Sequence, residues 1–280
     1  MIPGNNINFL FSVMQTRVSN PYICMNILLK MLLWGRNFFF PGACVLCNKS
    51  LISIDEIKYN LCDDCKPSLN VIQGQKCRYC GKPLISEEEI CVPCRKISDI
   101  NDEKIDDRNS CGTSELERRF FDRLWVLFPY IGRFKKILTF YKFKKVLSLA
   151  EFFCDKIIDC IKENPVLHNA VIVPVPPRKG KIKHSGWDQV DYLVKRLKKN
   201  SSGIKIIKCL KRKKSKIQKH LNRKDRIENL KDRIYIYKDA PETVLIIDDV
   251  ITTGSTLEVC AKTLKEAGSK TVYGLCLFYD

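Results

Sequence analysis

Apolar and polar positions follow two periodicities from about Phe120 to the C-terminus. Short apolar runs of strand length alternate with longer stretches in which apolar residues recur every three or four positions. The predicted strands are Leu124–Pro129, Ala170–Val175, Ile204–Leu210, Val244–Asp248 and Thr271–Leu277. Helices are predicted twice between Ile131 and Lys162, over Trp187–Leu197 and over Leu257–Ala267. Strands that alternate with helices predict an α/β fold with a doubly wound, mostly parallel sheet.

The chain before Phe120 lacks this alternation and divides into three parts. Residues 1–40 form an apolar leader, residues 41–96 a cysteine-rich module, and residues 97–119 a linker dense in Asp, Asn and Glu. The α/β domain then occupies residues 120–280. Four regions are therefore expected along the chain.

Polar residues break up the apolar leader. Its two apolar runs are Phe9–Met14 and Ile23–Trp34, and the residues that interrupt or separate them are Arg17, Asn20, Asn26 and Lys30. Neither run reaches the roughly 20 apolar residues that span a bilayer, so no stable membrane insertion is expected. Membrane association through the leader stays open as an alternative. Met1 and Met25 are both candidate start positions.

Eight of the fifteen cysteines form four C-x-x-C pairs. Such a pair places two thiolates on one side of a tight turn, and two such turns complete a tetrahedral four-thiolate zinc site. The chain twice contains one C-x-x-C pair, a spacer and then a second C-x-x-C pair. This repeat predicts two structural zinc ribbons. Each C-x-x-C turn, here called a knuckle, needs a residue in left-handed conformation after it. Asn48 and Gly81, each directly after a pair, suit this position. The first predicted site consists of Cys44, Cys47, Cys62 and Cys65, and the second of Cys77, Cys80, Cys91 and Cys94.

Other uses of paired cysteines fit this spacing less well. Ferredoxin-type iron–sulfur ligands are spaced more tightly, and a redox C-x-x-C pair lies at a helix start within a βαβ unit. A disulfide framework is expected in a small secreted chain, whereas this sequence carries no clear secretion signal. Metal-binding thiols therefore indicate a reducing, cytoplasmic location.

Positive charge dominates the composition, with a formal net charge of +18 and a pI near 9.3. This charge favours polyanionic partners such as nucleic acid, or small anionic substrates. A generally lysine-rich proteome is the alternative. The charge is densest over Lys205–Arg233, which has thirteen Lys or Arg residues against three acids. Its surplus cations are available for salt-sensitive contacts with phosphates of single-stranded DNA, but aromatic residues for base stacking are scarce there.

The predicted strand Val244–Asp248 leads into the most informative stretch of the chain. Asp248 and Asp249 close the strand, and a loop of hydroxyl residues and glycine precedes the next helix. Loop N–H groups and a helix N-terminus bind phosphate, but two adjacent carboxylates repel it. Asp248 and Asp249 are expected beside such a loop if the ligand also carries vicinal hydroxyls or a divalent cation that need acceptors. A sugar phosphate has both. The loop residues are Thr252, Thr253, Gly254, Ser255 and Thr256.

The stretch from Val244 to Thr256 resembles the thirteen-residue 5-phosphoribosyl-1-pyrophosphate (PRPP) motif of type I phosphoribosyltransferases. The resemblance implies that Asp248 and Asp249 hold the ribose 2′- and 3′-hydroxyls. It also implies that the loop from Thr252 to Thr256 wraps the 5′-phosphate. An ordinary buried strand, turn and capped helix is the alternative.

A second loop rich in cations follows the predicted strand Ala170–Val175. Three prolines stiffen the turn, and Arg178 and Lys179 come directly after them. In type I phosphoribosyltransferases the corresponding loop binds the leaving pyrophosphate, which gives Arg178 and Lys179 that role by resemblance. A proline-rich connection with solvated cations is the alternative.

The order of these motifs is similar to that of the ComF family, in which a double zinc ribbon precedes a phosphoribosyltransferase domain. Two departures are Ser185 and Asp188, which replace an Arg and an Asn of the family pattern. If the family's Arg binds pyrophosphate or a base, its role is lost here or passes to Lys181, Lys183 or His184. The resemblance also implies a mobile hood over the site, formed by Gln218, Arg223, Arg226 and Asn229.

The family resemblance implies three alternative functions. The first is Mg²⁺-dependent ribosyl transfer from PRPP to an acceptor that the sequence does not identify. The second is an accessory role in the uptake of single-stranded DNA during natural competence, with a helicase-like partner protein. The third is a regulator that binds PRPP without turning it over.

Overall fold

The computed structural model describes residues 42–72, 74–77, 81, 83–84, 89–91, 95, 120–178, 180–201, 203–213 and 233–280. The leader and the polar linker lie outside the described residues, as do Lys179, Cys80, Cys94, Gln218, Arg223, Arg226 and Asn229. In the described part of the chain, no helix is long and apolar enough to cross a membrane.

Strands and helices alternate along the α/β domain. The strands are β1 (Arg123–Pro129), β2 (Val171–Pro174), β3 (Leu210–Arg212), β4 (Ile234–Ile236), β5 (Thr243–Ile251) and β6 (Thr271–Tyr279). The helices are α1 (Ile54–Tyr59) in the cysteine-rich module, then α2 (Gly132–Phe143), α3 (Leu149–Glu163), α4 (Lys181–Ser185), α5 (Gln189–Asn200) and α6 (Ser255–Glu266). Short 3-10 turns cover Lys66–Ser68 and Pro165–Leu167.

Four strands form one parallel sheet in the order β1-β6-β5-β2. β5 therefore lies inside the sheet, with β6 on one side and β2 on the other. β3 and β4 form a separate antiparallel hairpin. The predicted α/β fold with a mostly parallel sheet is confirmed.

The side chains of β5 show that both faces of the sheet are covered. Leu245 and Ile247 belong to one buried cluster, which also includes residues of α2, α3 and α5. Val244 and Ile246 belong to a second cluster, with residues of α6 and the hairpin. Successive strand residues point to opposite faces, so a strand buried on both sides carries a continuous apolar run. This explains why β5 is easy to recognise in the sequence.

One strand prediction was wrong. Within the described segment Ile204–Leu210, only Ile206 forms a bridge, to Ile172 of β2, and β3 begins at Leu210 as one arm of the hairpin. The apolar residues of this segment divide between two environments. Ile206 packs beside the first cluster, whereas Cys209 and Leu210 are buried in the second. The chain crosses from one face of the sheet to the other here, which ends the parallel pairing.

β5 is longer than its sequence pattern predicts. It passes through the acid pair and ends at Ile251, because β6 continues to pair with it as far as Tyr279. The two carboxylates are therefore part of the strand and do not form a loop after it. Backbone pairing thus holds their positions.

The first half of the cysteine-rich module packs directly on the α/β domain. Leu61 belongs to the same buried cluster as the residues of α3. Tyr59 Oη donates to Asp155 Oδ2 at 2.5 Å, and the backbone N–H of Ile72 donates to the carbonyl of Leu127 at 2.8 Å. This half of the module therefore contributes to the core of the domain.

Candidate functional site

The acid pair lies at the carboxyl end of the central strand, where open parallel sheets bind their ligands. The backbone N–H of Asp249 donates to Asp248 Oδ1 at 2.8 Å. Lys142 Nζ, near the end of α2, lies 2.7 Å from Asp249 Oδ2. The side chains of Lys142 and Asp249 are only 19% and 17% exposed, so water screens this ion pair weakly.

Burial controls the charge of Asp248. Desolvation and the adjacent Asp249 raise the pKa of the Asp248 carboxyl to about 8, although the N–H of Asp249 and the Lys142 ammonium act in the opposite direction. Burial and the adjacent carboxylate therefore favour the protonated form of Asp248 in the free protein, while Asp249 Oδ2 pairs with Lys142 Nζ.

The loop after β5 enters α6 at Gly254. This residue precedes the first turn of the helix with a φ of 76°, a left-handed conformation that glycine adopts without strain. Thr253 Oγ1 and Ser255 Oγ hydrogen-bond to each other at 2.8 Å. The hydroxyls of the loop thus lie beside the N-terminus of a twelve-residue helix, an arrangement that suits phosphate.

One cleft of about 610 Å³ brings most of the predicted binding residues together. The predicted residues that line it are Asp248, Asp249, Thr252, Thr256 and Arg178. Three predicted residues belong to the same loop but do not line the cleft, namely Thr253, Gly254 and Ser255. Acidic, hydroxyl and cationic side chains therefore face one common space.

The segment that departs from the ComF pattern contributes a wall of this cleft. Asp188 is 5% exposed and caps α5, because its Oδ1 accepts from the N–H of Asp191 at 3.0 Å. Lys181 Nζ lies 2.6 Å from Asp188 Oδ2 and also contacts the side chain of Gln189. Lys181, Asp188 and Gln189 all line the cleft. The departure at Asp188 thus gives a nearby lysine a partner and holds it in the site.

Two cations of the cleft are missing from the sequence prediction, Lys142 and Arg212. Lys142 belongs to no motif, and only the packing of α2 brings it to the acid pair. Arg212 lies within a run of charges of the kind that is usually solvated. Its neighbours give the one usable signal, because strand alternation places Arg212 on the same face as the buried Leu210 and opposite the exposed Lys211.

The first cysteine cluster has the geometry of a metal site. The four sulfur atoms that lie within 4.8 Å of one another belong to Cys44, Cys47, Cys62 and Cys65. In the first knuckle the N–H of Asn48 donates to the carbonyl of Cys44 at 2.9 Å, and in the second the N–H of Lys66 donates to that of Cys62 at 3.1 Å. Asn48 has a φ of 64°, as its position after the pair predicted.

The negative charge of several thiolates in this cluster would need a cation to compensate it. Burial raises the pKa of the Cys44 thiol, but hydrogen bonds from backbone N–H groups and from Cys47 outweigh burial and lower it to about 7. Burial and the neighbouring thiols raise the pKa of Cys65 to about 12. One thiolate therefore forms readily, and several together need a positive ion at their centre.

Part of the second predicted zinc site repeats this local structure. Cys77 and Cys91 are buried, and the N–H of Cys91 donates to the Cys77 sulfur at 3.4 Å. The N–H of Gly81 donates to the carbonyl of Cys77 at 2.8 Å, and Gly81 has the expected left-handed conformation with a φ of 69°. With Cys80 and Cys94 outside the described residues, a second zinc ion remains a prediction.

Comparison with known proteins identifies the cysteine-rich module. Residues 36–95 match the family model described as a double zinc ribbon domain. This match agrees with the clustered sulfur atoms of the first two knuckles. The residues of this zinc-binding site are Cys44, Cys47, Cys62 and Cys65.

Two curated proteins are similar to most of the chain. Competence protein ComFC of Streptococcus pneumoniae is 24% identical over 233 residues, which cover 81% of this chain and 91% of that protein. Competence protein F of Haemophilus influenzae is 24% identical over 243 residues, which cover 84% and 95%. The resemblance to the ComF family is confirmed. Because the aligned lengths far exceed the zinc-ribbon module, the similarity includes the α/β domain.

Loss of a zinc ligand should destabilise the α/β domain together with the ribbon. In Cys62→Ser we expect loss of the zinc ion and a decrease in Tm of roughly 5 °C or more, since about 2 kcal/mol of lost stability shifts a domain of this size by that amount. Metal analysis and calorimetric unfolding measure both effects. Cys154→Ala, which removes a buried thiol outside the cluster, should keep its zinc. An unchanged Tm after zinc loss would contradict a hydrophobic core shared by the zinc ribbon and the α/β domain.

The raised pKa of Asp248 predicts a pH dependence of stability. The folded state holds this proton more tightly than the unfolded state, so the free energy of unfolding should fall as pH rises from about 4 to about 8. Asp248→Asn cannot ionise and still accepts from the N–H of Asp249. Urea unfolding should therefore show it to be more stable than wild type at pH 8 and similar to wild type at pH 4. Glu266→Gln, an exposed control, should follow the wild-type curve; parallel curves for all three proteins would refute the assignment.

Proposed function

We propose that this chain binds PRPP together with Mg²⁺ and is a phosphoribosyltransferase-type protein. The observation that carries the proposal is the cleft at the end of β5, in which three kinds of group meet. Carboxyl groups suit the vicinal hydroxyls of ribose, and a hydroxyl loop at a helix N-terminus suits the 5′-phosphate. Arg178 supplies a guanidinium for the pyrophosphate. PRPP carries all three chemical features in one small molecule.

The same side chains support the expected chemistry. When pyrophosphate leaves, positive charge develops at the ribose C1 atom and negative charge on the leaving oxygens. Arg178 and Lys181 can stabilise the leaving group, while Asp248 and Asp249 orient the ribose ring. The acid pair offers the hard oxygen donors that fit Mg²⁺, which would add positive charge next to the pyrophosphate. The proposal concerns the ligand that donates the ribosyl group and leaves the acceptor open.

Calorimetric titration with PRPP and Mg²⁺ tests ligand binding. Asp248→Asn and Asp249→Asn each alter an acceptor for a ribose hydroxyl, and we expect both to weaken binding. The larger loss, about tenfold or more, is expected for Asp249→Asn, since hydrogen bonds to charged groups contribute about 1.5–3 kcal/mol. Glu266→Gln should bind as wild type does. Absence of binding by the wild-type protein would exclude both a transferase and a PRPP sensor. Pyrophosphate release upon addition of nucleobases separates a transferase from a sensor.

A role in competence, through single-stranded DNA, is the second candidate function. Both relatives are named as competence proteins, which supports such a role. The hairpin adds a structural observation, because Tyr235 and Tyr237 of its outer face are 40% and 38% exposed. Lys211 Nζ lies 3.9 Å from the centre of the Tyr237 ring, and Lys213 Nζ lies 5.8 Å from that of Tyr235. Cations beside exposed aromatic rings form the kind of surface that binds single strands. A helicase-like partner protein belongs to the same proposal.

Replacement of the two tyrosines tests this surface. In Tyr235→Ala and Tyr237→Ala we expect the affinity for an oligothymidylate to fall about fivefold or more for each ring, since a base–aromatic stack contributes about 1–3 kcal/mol. Fluorescence anisotropy over a series of salt concentrations measures the effect. The salt dependence should stay unchanged, because the phosphate contacts remain. Phe143→Ala, which removes an exposed aromatic ring of α2, is the control. Equal affinities for all variants would exclude the hairpin as the DNA surface.

A further inference from the structure

The last turn of α2 brings to the acid pair a lysine that the proposed chemistry does not use. Lys142 Nζ lies 2.7 Å from Asp249 Oδ2, and both side chains are less than a fifth exposed. In the described part of the chain, this is the ion pair that Asp249 makes. Lys181, which also lines the cleft, pairs instead with Asp188. The negative charge of Asp249 is therefore compensated from within the protein.

The residues beside Lys142 hold the end of α2 against the wall of the cleft. Tyr141 is fully buried, and its Oη donates to the carbonyl of Gln189 at 2.7 Å. Lys145 has a φ of 53°, in the left-handed region that residues other than glycine seldom adopt. Its Nζ donates to the carbonyl of Ser185 at 3.1 Å, which joins the turn after α2 to the end of α4. Such conformations persist where the surrounding structure imposes them and are concentrated at ligand sites, so the neighbours of Lys142 fix its place.

An ammonium at this place does what a bound cation would otherwise do. It occupies Asp249 Oδ2 and leaves the second oxygen of the carboxylate for a hydroxyl of the ribose. The pairing also removes rotational freedom, so the ligand meets an acceptor whose orientation is already fixed. A Mg²⁺ ion at Oδ2 would lie about 2.1 Å from it and would have to displace the ammonium. An ion that accompanies the ligand is thus left with the other oxygens of the acid pair and with those of the pyrophosphate.

We propose that Lys142 is a positioning residue of the ribose site. It orients the Asp249 carboxylate and compensates its charge, so that the ribose 5-phosphate part of the ligand binds without a divalent cation. Lys142 acts through Asp249 and does not touch the ligand. The inference rests on the proposed function, to which it adds a residue from outside the PRPP motif.

Two other roles for Lys142 predict different results. If Lys142 leaves Asp249 and binds a phosphate of the ligand, its loss weakens binding even when residue 249 carries no charge. If the ion pair only stabilises the fold, its loss lowers Tm and leaves the ligand affinity of the folded protein unchanged. A double-mutant cycle with Asp249, together with a comparison in the presence and absence of Mg²⁺, separates these cases from the proposed one.

Calorimetric titration of the full chain with ribose 5-phosphate provides the test. Without Mg²⁺, we expect Lys142→Met to bind about tenfold more weakly than wild type, because the carboxylate loses its orientation and its uncompensated charge repels the phosphate. Asp249→Asn should also bind more weakly, and adding Lys142→Met to it should cost less than about twofold more. Lys142→Arg keeps the charge and should recover most of the affinity. Lys144→Met, which replaces an exposed lysine directly after α2, should bind as wild type does.

Addition of millimolar Mg²⁺ gives a readout that a purely structural role does not affect. Wild-type affinity for ribose 5-phosphate should change by less than about twofold, whereas Lys142→Met should gain about threefold or more, because the ion can take the vacated place at Asp249. Thermal unfolding shows whether each variant is folded at the temperature of the titration. Lys142→Gln, which still donates to Asp249 but carries no charge, replaces Lys142→Met if the latter does not fold, with the same expected direction.

The contrary outcomes are distinct. A wild-type affinity that depends on Mg²⁺ overturns the inference, and so does an unchanged affinity in Lys142→Met. Losses that multiply in the double variant assign Lys142 to the ligand itself and overturn it too. These three results leave the proposed function intact. If wild type binds neither ribose 5-phosphate nor PRPP, the proposed function fails, and the inference fails with it.

Discussion

Burial of the central strand on both faces is the constraint on which the site depends. β5 pairs with β2 and β6 and sends its apolar side chains into both clusters, so its backbone has little freedom to shift. The acid pair continues this strand, and its carboxyl groups are therefore fixed before any ligand arrives. A preorganised site of this kind loses less free energy on binding than one built on a flexible loop. The same burial raises the pKa of Asp248, so position and protonation have one cause.

The zinc ribbon packs on the helices that cover one face of the sheet, so it is part of the same buried structure. The knuckles have few apolar residues of their own, and those that are buried, such as Leu61, pack with α3. Lys136 of α2 also donates to the carbonyl of Leu46 at 2.7 Å. α2 therefore contacts the first knuckle and, six residues later, carries Lys142 to the acid pair. The zinc ribbon therefore contacts the helix that supplies the counter-ion of Asp249.

Local features of the site could be predicted from the sequence, and features that depend on packing could not. The C-x-x-C turns, the apolar run of β5 and the glycine before α6 are each determined by neighbouring residues. Lys142 and Arg212 come to the cleft from distant elements; nothing near Lys142 in the sequence marks it, and only the strand alternation around Arg212 indicates that it faces inward. The segment before β3 was predicted as a strand because it is a short, largely apolar run, but Ile206 and Leu210 pack on different faces of the sheet. The apolar residues of this segment indicated correctly that it is largely buried. They did not indicate that the chain crosses from one face of the sheet to the other.

The structure also explains how two carboxyl groups can lie beside a loop that is proposed to bind phosphate. Two ionised aspartates at this place would repel every phosphate of the proposed ligand. Burial instead favours the protonated form of Asp248, and Asp249 pairs with Lys142, so the carboxyl groups keep their hydrogen-bonding capacity with reduced negative charge. A protonated carboxyl donates one hydrogen bond and still accepts others, which suits a ribose diol that does both. Among the charged groups that line the cleft, Arg178 and Arg212 are cations, and Lys181 pairs with Asp188. This arrangement would suit the proposed ligand, a phosphorylated sugar.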